Sequence, residues 1–107
     1  MNLPVKILQS AQADYRNLKK SVTRQLGEEV WGKLNRDIQA TIKTISEHPH
    51  AGSALEELEE IGSGRYRQIY VGKNRIVYEV RTEAIYVHIF MHVRRDLMAL
   101  LQDRLLS

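Results

Sequence analysis

The chain has 107 residues, 43% hydrophobic and 27% charged, with 16 Lys and Arg against 13 Asp and Glu for a net charge of +3. That length and balance give a single soluble domain over residues 1–107 with one modest core, and they exclude a disordered tail. With no cysteine, disulfide scaffolds and thiol nucleophiles are excluded, and no apolar run approaches the ~20 residues needed to cross a bilayer.

Residues 3–8 set Leu3, Val5 and Ile7 against Pro4, Lys6 and Leu8, the alternation of a short strand whose early proline suits an edge. Nothing in Met1-Asn2-Leu3-Pro4-Val5-Lys6 has the form of a secretory signal, so a cytoplasmic location is expected. Ser10 is placed to cap a first helix, in which Ala11, Tyr15, Leu18, Val22 and Leu26 form one stripe that Gly27 ends. Glu28 and Glu29 favour the start of a second helix, whose face is Val30, Trp31, Leu34, Ile38, Ile42 and Ile45, and Pro49 and Gly52 stop it. A tight joint between two amphipathic helices makes an antiparallel hairpin that needs a sheet beneath it.

Residues 53–64 carry Glu56, Glu57, Glu59 and Glu60, then the joint Gly62-Ser63-Gly64, and read as a loop or a short helical turn. Three strands follow, at 65–71, 75–81 and 84–91, joined by Gly72-Lys73-Asn74 and Thr82-Glu83, turns short enough to force antiparallel neighbours. In the last of them Ile85, Val87, Ile89 and Met91 alternate with Tyr86, His88, Phe90 and His92. The chain closes with a helix bearing Leu97, Met98, Leu101 and Leu105, widened by Leu100 and Leu106. The expected fold is α+β in the order β-α-α-β-β-β-α, an antiparallel sheet packed against a helical hairpin with a C-terminal helix.

Several chemistries find no support. None of the serines has a nucleophile-elbow context. His88 and His92 lie four apart on a strand, about 13 Å, too far to share an ion, and His48 and His50 read as polar turn residues. Gly62-Ser63-Gly64 lacks the lysine and following helix of a phosphate-binding loop. No cofactor or metal is implied.

Arginine usage is more informative. From residue 65 onward seven of eight basic residues are arginine, against three of eight in the first 54. Arginine suits planar recognition of carboxylate or phosphate, although salt bridges to Asp96, Asp103, Glu79 or Glu83 would use the same residues. Two groupings stand out. Arg65, Arg67 and Arg75, with Tyr66, Tyr78, Glu79, His92 and Arg94 nearby, form a mixed face able to hold a phosphodiester. The final helix combines Arg94, Arg95 and Arg104 with Leu97, Met98 and Leu101, a basic and apolar face of the kind that docks a protein.

These residues also carry a resemblance. Ala13-Asp14-Tyr15-Arg16, His48-Pro49 with Gly52, Tyr66-Arg67, Arg75-Ile76-Val77-Tyr78-Glu79-Val80, the run from Ile89 to Met98 and Asp103-Arg104-Leu105 together resemble the RelE/ParE superfamily of toxins from type II toxin–antitoxin systems, and ParE most closely. The resemblance implies a cytoplasmic toxin neutralised by a ParD-like antitoxin, with operator DNA reached only through that antitoxin and no membrane partner. The ParE branch inhibits DNA gyrase and blocks replication without chemistry of its own, whereas the RelE branch cuts mRNA on the ribosome. Under the ParE reading Arg94, Arg95, Arg104, Leu97, Met98 and Leu101 would meet the target, and Arg65, Arg67 and Arg75 the antitoxin. Under the ribonuclease alternative Arg67, Arg75, Arg94, His92 and Tyr78 would be catalytic. Leu100 and Ile69 fall where RelE enzymes place a tyrosine and a lysine, and leucine can neither accept nor donate a proton. The departure favours the ParE reading, a protein inhibitor and not an enzyme.

Overall fold

A mixed five-stranded sheet, ordered β1-β5-β4-β3-β2, organises the computed structural model, which describes residues 2–55 and 65–104. The strands are β1 (Val5–Ile7), β2 (Ser53–Ala54), β3 (Tyr66–Val71), β4 (Asn74–Val80) and β5 (Ile85–His92). The helices are α1 (Gln9–Leu26), α2 (Glu28–Glu47) and α3 (Leu97–Arg104). The α+β order matches the expectation. The acidic segment Glu56 to Glu60, the Gly62-Ser63-Gly64 joint, Leu105 and Leu106 lie outside the described residues.

Two features of the sheet go beyond the alternation of its strands. β2 adds a short antiparallel edge through Ser53 opposite Gln68 and Ala54 opposite Arg67. β1 joins the other edge parallel to β5, with Val5 opposite Ile85 and Ile7 opposite Val87, while the remaining pairs are antiparallel. The α1–α2 hairpin between β1 and the later strands supplies the long crossover that parallel pairing requires.

Both faces of the sheet are covered. On one side the hairpin buries Ala11, Ile38 and Ile45 against Ile76, Tyr78, Ile85, Val87 and Phe90. Tyr15 packs edge-on to Trp31, with ring centroids 5.4 Å apart, and bonds Asn35 through its hydroxyl. On the other side Leu97 and Leu101 of α3 close over Leu55, Val77, Ile89 and Met91. The hairpin joint is Gly27, whose φ of +95° places it where a side chain is strained. Ser10 is not the cap of α1. The helix starts two residues earlier than that cap implies, after Leu8, which makes no side-chain cap, and Gln12 reaches back to bond the Ile7 carbonyl at 2.9 Å.

The strict alternation expected for the last strand is broken. Val77 pairs with Ile89 and Tyr78 with Val87, so His88 is an extra residue on β5, a bulge. One inserted residue moves the side chains beyond it to opposite faces. Ile85 and Val87 therefore face the hairpin, whereas Ile89 and Met91 face α3, and Phe90 takes their place under the hairpin.

Candidate target-binding surface

The corner between β5 and α3 is fixed by its backbone. The Val93 N–H bonds the Lys73 carbonyl at 2.9 Å, and the Arg95 N–H bonds the His92 carbonyl at 3.1 Å. The Arg94 N–H donates to Nδ1 of His92 at 3.1 Å, and Asp96 caps α3 by accepting from the Ala99 N–H at 3.2 Å. Arg94 and Arg95 leave this corner as exposed side chains, with Met98 exposed one turn on. Leu97 and Leu101, expected beside them, point the other way and are buried in the core under α3. An eight-residue helix over a sheet has one face to give to each, and the spacing alone does not say which leucines it spends inside.

Arg104 is not part of the exposed corner either. Its Nη2 and Nη1 grip the Asp14 carboxylate of α1 at 2.6 and 2.9 Å, and Nη1 also bonds the His88 carbonyl at 3.1 Å. The Phe90 N–H donates to the same Asp14 carboxylate at 3.1 Å. The cause is the end of β1. β1 pairs with β5 only as far as Val87, so the backbone groups of His88 and Phe90 beyond it need other partners. Asp14 and Arg104 supply them, and hydrogen bonding to Asp14 raises the arginine pKa above its already high ordinary value.

Arg65, Arg67 and Arg75, expected to act together, are held in three places. Arg67 donates through Nη1 to the Gly52 carbonyl at 2.6 Å. Beside it the fully buried Tyr78 hydroxyl donates to the Pro49 carbonyl and accepts from the Gly52 N–H, both at 2.9 Å. A side chain on Gly52 would start 2.4 Å from the Gln68 carbonyl oxygen and 2.8 Å from the Tyr78 hydroxyl, so only glycine lets the chain come this close. Arg67 and Tyr78 thus anchor the turn after α2. Burial pushes the Tyr78 phenol above its ordinary range, against the pull of the Gly52 hydrogen bond and the Arg67 charge.

Arg75 faces the opposite side of the sheet, where Nη1 bonds Gln68 at 2.8 Å and the guanidinium lies 5.9 Å from the centre of the exposed Tyr70 ring. Arg65 stands at the far end of β4, next to Glu79. That carboxylate is 6% exposed and is ringed by Nε of Arg65 at 3.1 Å, Nε of Arg81 at 3.6 Å and Nε2 of His88 at 2.9 Å. The five residues named for a ribonuclease are divided likewise: Tyr78 and Arg67 under the hairpin, Arg75 across the sheet, His92 and Arg94 at the corner.

Asp14, Arg81, Glu79 and His88 were not singled out as acting together from the sequence. A glutamate inside the run Val77-Tyr78-Glu79-Val80 was the available signal, since a charge among strand residues with both faces covered must be paired. Among the described residues no group of three or more His, Asp and Glu side chains is arranged to hold a metal ion, and no helix is long and apolar enough to cross a membrane.

The model of the ParE toxin family, the ParE toxin of the type II toxin–antitoxin system parDE, matches residues 5–97. A solved structure described as the chromosomal ParDE TA system from P. aeruginosa is similar to this chain with a TM-score of 0.67 and 16% identity, covering 84% of this chain and 95% of that one. No curated protein matches the chain in sequence. The shared fold, and a family match that runs from the first strand to the start of α3, lead to one conclusion: the chain belongs to the ParE toxin family of type II toxin–antitoxin systems.

Proposed function

We propose that this protein inhibits DNA gyrase, so blocking replication, and that a ParD-like antitoxin neutralises it. The observation that carries the reading is the family match through Leu97, the residue that ends the stiff corner presenting Arg94 and Arg95. Two arginines and an adaptable Met98 on a hydrogen-bonded corner suit a protein target, because the backbone that carries them needs no further ordering when they engage. The action is by surface contact, without bond-making. In support, the Tyr78 hydroxyl and Arg67, which a nuclease would need, are engaged with the turn after α2. Of Arg65, Arg67 and Arg75, expected to meet the antitoxin, Arg75 stands beside the exposed Tyr70 ring, and antitoxin contact is proposed at that face, with operator DNA reached only through the antitoxin.

The test is a gyrase supercoiling and cleavage assay with purified protein, run beside an in vitro translation reaction. Loss of supercoiling with accumulation of linearised plasmid is the expected result. New 5′ ends in the translated message, with gyrase untouched, would overturn the reading.

A further inference from the structure

We infer that the end of the sheet where Arg65 and Arg81 flank Glu79 binds the phosphodiester backbone of single-stranded nucleic acid, with Tyr66 and Tyr86 as base platforms. The inference is independent of the gyrase reading.

Charge gives the first reason. The buried Glu79 carboxylate brings one negative charge, and His88 already satisfies one of its oxygens at 2.9 Å. One guanidinium would balance it, yet both Arg65 and Arg81 converge on the other oxygen. Each makes its closest approach through Nε, and among the described residues no hydrogen-bond acceptor takes their η-nitrogens. Their side chains are 52% and 49% exposed. The carboxylate therefore orients two guanidinium groups while leaving their planar outer ends for an oxyanion, the geometry that favours phosphate.

Position gives the second. Glu79 pairs directly with Tyr66 on β3 and with Tyr86 on β5, so the three side chains share one face and the tyrosines stand about 10 Å apart across two strand spacings. Both tyrosines are half-buried; the Tyr66 ring packs against the core and against His88, with ring centres 5.5 Å apart, and has the Arg65 guanidinium 5.8 Å from its centre, which leaves its remaining surface to a base. Aromatic rings on a sheet beside cations are how proteins hold unpaired bases and the strand that joins them. An acidic peptide would use the arginines but has no use for the rings. Glu83, on the β4–β5 turn, accepts from the Tyr86 hydroxyl at 3.4 Å. It opposes a polyanion.

Fluorescence anisotropy of the full chain with a labelled oligothymidine of about 15 nucleotides tests this. Replacing both arginines by lysine (R65K/R81K) keeps the countercharge for Glu79 and the fold, checked by circular dichroism, but removes the forks, and should weaken binding at least about 10-fold. The double alanine variant should lower the salt slope by about 1.4, the share of two phosphate contacts on a single strand. Tyr86→Leu should weaken binding several-fold and Glu83→Gln should strengthen it. The proposal is overturned if the duplex form binds equally well and Tyr86→Leu has no effect, which would mean diffuse charge. It is also overturned if R65K/R81K binds like the unaltered chain, or if a polyglutamate peptide outcompetes the oligonucleotide, which would assign the arginines to an acidic protein.

Discussion

Tyr78 and Gly52 form a coupled pair of positions. The hydroxyl both accepts from the Gly52 N–H and donates to the Pro49 carbonyl, and the glycine is what allows that approach. Tyr78→Phe should cost about 1–3 kcal/mol, because it leaves a buried N–H without a partner. The pH dependence has a definite sign. Burial raises the folded-state pKa above the ordinary 10.0, so the neutral phenol is favoured in the fold. Its contribution is whole below about pH 10 and is lost as pH climbs through the raised value. Melting temperatures measured from pH 7 to 11 should fall more steeply near the top of that range for the parent than for Tyr78→Phe. Parallel curves would show that the phenol does not titrate with unfolding. The sequence names Tyr78 and Arg67 as chemically capable residues, but capability does not reveal facing. Their partners are main-chain atoms of a turn some 15 to 29 positions away, and no side-chain pattern marks those.

At the level of elements, the helices, the three antiparallel strands before the last helix and the hairpin turns were legible because each follows from local periodicity and from glycine or proline punctuation, whereas the short edge strand β2 was not. The parallel placement of β1 was not, since it is decided by where the hairpin returns the chain. Nor was the bulge at His88, because Ile85, Val87, Ile89 and Met91 alternate without a break in sequence while the pairing with β4 slips by one. Beyond Val87, where β1 no longer pairs with β5, Asp14 and Arg104 meet the exposed backbone groups. With side-chain exposures of 8% for Asp14 and 17% for Arg104 they form a mostly buried pair, and removing one partner strands the other charge. Arg104→Ala should therefore cost about 3–5 kcal/mol. Hydrogen exchange should speed up first at the Phe90 amide, which donates to Asp14. If exchange there is unchanged, Asp14 holds the strand without help from α3. Met98→Ala and Leu101→Ala separate the faces of that helix: the first should stay within about 0.5 kcal/mol of the parent, the second should lose about 2–5 kcal/mol in chemical denaturation.

For the molecule as a whole, the candidate surface was half legible. The sequence pointed to the β5–α3 region and to Arg94, Arg95 and Met98, which the fold does expose. It also enlisted Leu97, Leu101 and Arg104, which the fold turns inward, because an apolar and basic helix looks the same whether its leucines meet a partner or its own sheet. Arg94→Ala with Arg95→Ala is the cleanest probe of toxicity, since neither side chain supports the core. Growth arrest on expression should be lost while the melting temperature holds. Undiminished arrest would move target contact elsewhere on the surface.

Asp14 and Arg104 are 90 positions apart, which puts a clock on biosynthesis. At roughly 5–20 residues per second a ribosome needs on the order of 5–20 seconds to travel between them. Throughout that interval the first helix holds an unmatched carboxylate and the last strand keeps bare amides. The domain cannot close around its carboxy-terminal helix until that helix has cleared the exit tunnel, so a nascent or prematurely terminated product lacks its final clasp.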